Sequence, residues 1–322
     1  MGERVITFSK NVFLPLTTVC RNRCGYCCFR TQVRDGCLMR PEQVRETLIR
    51  GASLGCTEAL FTFGEKPEEE PGFSDYLTRI GYRSILDYCY AMCEAAINAG
   101  LLPHTNAGIL TRDEMAVLKK VNASMGIMLE TTARLEAHAN SPGKDPEVRL
   151  AMIADAGRLR IPFTTGLLLG IGETMHDREE SLEAIRNLHR TYGHIQEVII
   201  QNFCPVEGTR MGSARPIGYE DYRTVIRMAR EILPSDIAVQ IPPNLADASR
   251  LIECGVNDLG GVSPVTIDYV NPDHPWPEIE NLKEIVGTAT LRERLCIYPQ
   301  YIEKGWYPPR LAALISRLQK NR

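Results

Sequence analysis

The 322-residue chain has no stretch approaching the roughly 20 apolar residues that a membrane span requires, so no bilayer insertion is expected. It has no basic block either. Its 37 Lys and Arg stand against 40 Asp and Glu, a net charge of −3, which argues against binding driven by nucleic-acid phosphates or an anionic membrane surface. The opening segment, Met1 to Cys20, holds one short apolar stretch broken by prolines and lacks a small-residue cleavage pattern, so a secretory signal is not expected. A cytoplasmic location follows. Low-complexity tracts and Pro/Gly/Ser-rich linkers are missing as well, so no domain boundary is expected within the main body of the chain. In a reducing compartment the 11 cysteines read as metal ligands or small buried groups rather than as a disulfide framework.

What is present is an alternation of short β-branched or apolar runs with segments of helical periodicity. The runs are Phe13 to Val19, Ala59 to Phe63, Leu101 to Thr105, Ser124 to Leu129, Phe163 to Leu169, Val198 to Asn202, Ile237 to Gln240, and Asp258 to Leu259. Helices are expected over Pro41 to Ala52, Ser84 to Asn98, Asp113 to Val121, Pro146 to Ala156, Asp177 to Thr191, Tyr219 to Leu233 and Ala246 to Cys254. Thr111 followed by Glu114 is a capping box, and Pro41 and Pro146 suit first helical turns. Eight such units predict an α/β fold, a closed (β/α)₈ barrel over residues 1–270, with a Pro- and aromatic-rich tail and helix over 271–322 packing on it. Glu65 to Arg83 reads as a polar loop after the second strand.

Immediately after the first run stand Cys20, Cys24 and Cys27 in the order Cys-Arg-Asn-Arg-Cys-Gly-Tyr-Cys. Three thiolates on a short glycine-containing loop can hold three corners of a cubane iron-sulfur cluster and leave one iron open for chemistry. A zinc site completed by a distant ligand, or plain buried cysteines, are the structural alternatives. Cys28 is a poor fourth ligand, because adjacent side chains diverge.

The CxxxCxYC loop at the end of a first barrel strand resembles that of radical S-adenosylmethionine enzymes. The resemblance implies a three-cysteine 4Fe-4S cluster whose open iron chelates S-adenosylmethionine, and reductive cleavage to a 5′-deoxyadenosyl radical that abstracts a substrate hydrogen. Tyr26 belongs to the same loop, and Gly64-Glu65 matches the family's Gly-Glu motif near the methionyl group. Glu130 is implied at the ribose or methionyl part, with Arg149 as a carboxylate partner. Gly170, in the segment Gly166 to Glu173, is implied beside the adenine.

Four further segments are more particular: Leu102 to Gly108, Thr165 to Thr174, Ile200 to Phe203, and Gly255 to Thr266 continuing to Pro277. Together they resemble the first-subunit family of deazaflavin synthases. That family implies a lyase that cyclises an adduct of a 4-hydroxybenzyl group with 5-amino-6-(D-ribitylamino)uracil and releases ammonia. It also implies a separate second-subunit radical enzyme that makes the adduct, and an electron donor. Polar groups suited to such a substrate stand where strands are expected to end: Thr105, Asn106, Gln201, Asn202 and Asn257. Asp258, His104 and His274 are the candidates for proton transfer, and Trp276 for covering the mouth. A sister radical enzyme acting on another aromatic substrate, and a non-catalytic iron-sulfur protein, are the alternatives.

Overall fold

In a computed structural model, which describes residues 4–320, eight parallel strands close into a barrel. They are β1 (Val5–Leu14), β2 (Glu58–Thr62), β3 (Leu102–Asn106), β4 (Ser124–Gly126), β5 (Phe163–Leu169), β6 (Ile195–Asn202), β7 (Ala238–Gln240) and β8 (Asp258–Val262). Each pairs with its sequence neighbour, and β1 closes the ring by pairing with both β2 and β8. Helices fill the crossovers, as parallel pairing demands. The capping box at Thr111 is formed, with its hydroxyl accepting from the Glu114 N–H and the Glu114 carboxylate accepting from the Thr111 N–H. Among the described residues no helix is long and apolar enough to cross a membrane.

Several boundaries differ from the sequence expectation, and three of the differences have a clear physical reason. The first strand runs Val5–Leu14 rather than Phe13 to Val19. Pro15 has no N–H to continue the ladder, and Thr17 and Val19 lie beyond it in isolated bridges of the following loop. The eighth strand continues past Leu259 through Gly260 and Gly261, whose low strand propensity hid it. The segment read as a polar loop after β2 contains a 3₁₀ turn, Pro67–Glu69, and a helix, Phe73–Arg79, anchored by the fully buried Phe73 and Leu77.

The tail adds a strand the periodicity did not predict, β9 (Thr290–Glu293), parallel to β1 outside the ring. Beyond it Leu295, Ile297, Tyr301, Leu311 and Ile315 pack with Leu102, Ala123 and Ala238 in a second apolar cluster. Each large side chain so buried contributes about 1.5–3 kcal/mol. These contacts lie toward the starts of β3, β4 and β7, so the tail stops the N-terminal end of the barrel and leaves the C-terminal end for the loops.

Candidate functional site

The loop after β1 carries Cys20, Cys24 and Cys27 as half-buried free thiols. It is fixed at several points. The Gly25 N–H donates to the Ala137 carbonyl at 2.7 Å, and the Met211 N–H donates to the Gly25 carbonyl at 3.0 Å. The Glu65 N–H donates to Cys20 Sγ at 3.2 Å. Burial pushes the Cys20 and Cys27 thiols above their ordinary range, so desolvation alone disfavours the thiolates; a cation seated among them would reverse that. Three unspent sulfurs on one constrained loop, one of them held by a backbone donor, fit the cluster that the motif implies. Among the described residues, no three His, Cys, Asp or Glu side chains are gathered to hold a single metal ion.

Gly64 follows β2 where the chain passes beneath this loop. A Cβ there would lie 1.9 Å from the Val19 carbonyl oxygen and 2.9 Å from Cys20 Cβ, so only glycine permits the approach. Gly64→Ala is therefore expected to displace the cysteine loop and lower cluster iron content, with the barrel still folded by circular dichroism. An alanine variant with full cluster content would show that the close approach does not matter. Glu65 itself is buried, its carboxylate accepting from Arg21 Nε at 2.8 Å and from the Ile109 N–H at 2.9 Å. Gly108 and Gly143 make room for that carboxylate, since a Cβ on either would lie within 2.7 Å of it.

Glu130 is the centre of a second buried group. Its φ of +68° is costly for a side-chain-bearing residue, by about 1–3 kcal/mol, and is held by its N–H donating to Gly166 and its carbonyl accepting from Leu168. The carboxylate accepts from Tyr26 Oη and Lys144 Nζ; His138 Nε2 lies at 2.9 Å and Arg149 Nη1 at 3.7 Å. Burial works against its charge, but Lys144 and Arg149 outweigh it and hold the carboxyl well below the usual carboxylate range. Burial and the neighbouring Glu130 charge drive the Tyr26 phenol well above its ordinary value, so it remains a hydrogen-bond donor. Arg149 donates to the Gly143 carbonyl at 2.8 Å and to the Met128 carbonyl, tying the loop after β4 to the next helix. His138 and Lys144, which the sequence reading missed, lie in 3₁₀ turns with no periodic signal. Gly170 has φ +95°, and its N–H donates to Glu173 Oε1 at 2.7 Å, so the β5 loop is closed by its own carboxylate, which Arg178 also holds.

Between these groups a cavity of about 390 Å³ runs down the barrel axis. Tyr26, Cys27, Glu130 and Lys144 line one part of it, and alternate strand residues line the rest. Because side chains on a strand alternate faces, only one parity points inward. His104, Asn106 and Gln201 have it and line the cavity. Thr105 and Asn202 have the other, a correction to their expected placement. Thr105 Oγ1 donates to Asn122 Oδ1 at 2.8 Å in the layer behind the sheet, and Asn202 Nδ2 donates to the Leu245 carbonyl. Asn257 and Asp258 stand at the start of β8, not at its end. Asn257 accepts from the Val239 N–H, and Asp258 is fully buried in an ion pair. His274 lies outside the cavity wall, its carbonyl accepting from Asn244, whereas Trp276 lines the cavity with its indole N–H unpartnered.

His104 is the cavity's imidazole. Burial pushes its pKa down to about 4, against a hydrogen bond with Asn106. Ser124 Oγ donates to the Cys296 carbonyl at 2.7 Å and so must accept from His104 Nδ1, also at 2.7 Å, which leaves Nε2 with its lone pair. At the floor, Arg294 from the tail grips Asp258 through two nitrogens, at 2.6 and 2.8 Å, and Glu197 at 2.9 Å. Burial, together with the Asp258 and Glu58 charges, raises the Glu197 carboxyl despite Arg294. The signal for Glu197 was legible: a charge inside the apolar run Ile195 to Ile200 needs a partner.

Residues 14–185, slightly over half of the chain, match the radical SAM superfamily model. Solved structures show the same barrel at low identity. The hydrogenase maturase HydG superposes with a TM-score of 0.73 at 16% identity, covering 99% of this chain and 70% of that one. Methylornithine synthase gives 0.63 at 17%, covering 98% and 87%. Among curated proteins, the 7,8-didemethyl-8-hydroxy-5-deazariboflavin synthase of Methanoculleus marisnigri is 68% identical over 321 residues, 100% of this chain and 97% of that protein. The synthase of the same name from Archaeoglobus fulgidus is 52% identical over 317 residues, 98% and 97% of the two chains. The chain thus belongs to the 7,8-didemethyl-8-hydroxy-5-deazariboflavin synthase family of radical S-adenosylmethionine enzymes.

Proposed function

We propose that this enzyme closes the deazaflavin ring, converting the 4-hydroxybenzyl adduct of 5-amino-6-(D-ribitylamino)uracil into 7,8-didemethyl-8-hydroxy-5-deazariboflavin with loss of ammonia. The observation that carries this reading is similarity of 52–68% over essentially the whole length to synthases of that name. In this reading Cys20, Cys24 and Cys27 hold a 4Fe-4S cluster that, when bound and reduced, supplies the electron for cleaving S-adenosylmethionine into methionine and a hydrogen-abstracting 5′-deoxyadenosyl radical. Gly64 lets the backbone beside Glu65 approach the methionyl end. Tyr26, Glu130 and Arg149 form a preorganised polar wall for the cofactor's ribose or methionyl part, and the Gly170 turn borders its adenine.

The substrate then occupies the cavity beyond Cys27, with Asn106 and Gln201 as amide partners and Trp276 offering an aromatic wall and an N–H donor. His104, neutral and with Nε2 unprotonated, presents a hydrogen-bond acceptor to the substrate, though burial leaves it a weak base. The protein acts in the cytoplasm, after a second-subunit enzyme that makes the adduct, and draws its electron from a separate donor. Anaerobically reconstituted protein given reductant, S-adenosylmethionine and the adduct should release ammonia and develop deazaflavin fluorescence. Cofactor cleavage without either product would point to another aromatic substrate.

A further inference from the structure

The motif Asn257 to Gly261 is not used by the cofactor site, yet its two glycines shape the cavity. At Gly260, with φ +71°, a Cβ would lie 2.2 Å from Gln240 Nε2; at Gly261 it would lie 2.1 Å from Asn11 Nδ2. Both amides therefore lie across the β8 backbone, where any side chain would expel them. Asn11 is 1% exposed and Gln240 6%, both line the cavity, and Asn11 Oδ1 and Gln240 Oε1 have no hydrogen-bond partner. Buried acceptors left open on a cavity wall ask for donors from a ligand, since leaving them unmet costs about 1–3 kcal/mol each.

We propose that the floor of the cavity, with Asn11 and Gln240 laid over Gly260 and Gly261, is the subsite for an uncharged polyhydroxyl chain on the substrate. This deepens the proposed function, on which it rests: of the adduct's parts, the ribityl arm alone is a linear row of hydroxyls. The charges of the floor favour a neutral ligand. Arg294 is already shared between Asp258 and Glu197, so among the described residues no free cation awaits a phosphate or carboxylate there. Burial, aided by nearby carboxylate charge, favours the neutral form of Glu197, and burial, aided by the Arg294 charge, favours that of His104, so each can trade hydrogen bonds with hydroxyls without demanding a counter-charge. The cavity's polar residues come from several strands in succession, which suits an extended chain of hydroxyls.

The test compares two ligands on the cluster-loaded enzyme by fluorescence titration: the deazaflavin product, and its analogue with an n-pentyl chain in place of ribityl. Ammonia release from the adduct is measured alongside. Wild type should bind the ribityl compound tenfold or more tightly than the pentyl one. Gln240→Leu and Asn11→Leu, checked for folding by thermal melting, should each shrink that ratio toward one by weakening only the ribityl compound. Should either variant misfold, the other carries the comparison. Ammonia release with equal wild-type affinity for both compounds, or variants that weaken both equally, would overturn the polyol assignment while leaving the proposed reaction intact. No ammonia and no binding of either compound would overturn the proposed reaction and the subsite with it.

Discussion

Cys24→Ala is expected to reduce S-adenosylmethionine cleavage to background while the barrel remains folded. Cys24 is half-buried in the loop between β1 and the helix Pro41–Ser53, outside the apolar core, and its side chain makes no hydrogen bond among the described residues. The loop's anchors are backbone contacts made by its neighbours, Gly25 to Ala137 and Met211 to Gly25, and these survive the substitution. Truncation at such a site costs stability within about 0.5 kcal/mol. The chemical cost is of another kind. With three protein thiolates and one open iron, loss of any ligand leaves two, and the cluster is no longer retained. Iron and sulfide content should fall together with methionine and 5′-deoxyadenosine formation, while far-UV circular dichroism stays that of the parent. Cys28→Ala is the matched control. Its thiol donates to the Val270 carbonyl at 3.2 Å, so the variant should keep its cluster. Global unfolding of Cys24→Ala would mean that the cluster is a structural staple, and persistent cleavage would remove Cys24 from the ligand set.

The cysteine loop stood out because its three thiols lie within eight consecutive residues, so spacing alone proposes them as a shared ligand set. The barrel was legible for a similar reason: each βα unit is a local pattern, and eight of them close only one way. What could not be read was strand phase. Asn106 and Thr105, or Gln201 and Asn202, are adjacent and equally polar, yet one of each pair lines the cavity, whereas Thr105 bonds Asn122 behind the sheet and Asn202 donates to the Leu245 carbonyl. A one-residue error in register exchanges them. The floor was hidden for a different reason. Asn11, Glu197, Gln240, Gly260 and Arg294 come from β1, β6, β7, β8 and the tail, and nothing local in the chain joins them. Asp258 was misplaced by the same blindness. As a carboxylate near the short final run it looked like a strand-end acid, when in fact the strand begins with it and Arg294 neutralises it from a segment that the periodicity left outside the barrel.

That tail contact has the largest expected effect on stability. Arg294→Met should lower the unfolding free energy by about 3–5 kcal/mol, because it strands the buried Asp258 charge rather than merely removing an attraction. Asp258 is fully buried and would keep only neutral donors: Thr7 Oγ1, Tyr298 Oη at 3.0 Å and the Gly260 N–H at 2.6 Å. Glu197 would compete with Asp258 for that same Tyr298 hydroxyl proton, from 3.3 Å. Methionine matches the arginine stem in bulk, so a cavity is not the cause of the loss. Two comparisons separate charge from packing. In an Arg294→Met, Asp258→Asn, Glu197→Gln background most of the loss should return, since no buried charge is then unpaired. Raising the pH should deepen the defect of the single variant, because the stranded carboxyls can fold in their protonated form only at the cost of binding protons that the unfolded chain has released. Urea denaturation of the three proteins at two pH values measures both effects. A single variant within 1 kcal/mol of the parent, or a triple variant as unstable as the single one, would show that the tail is held by its apolar cluster and that the ion pairs contribute little.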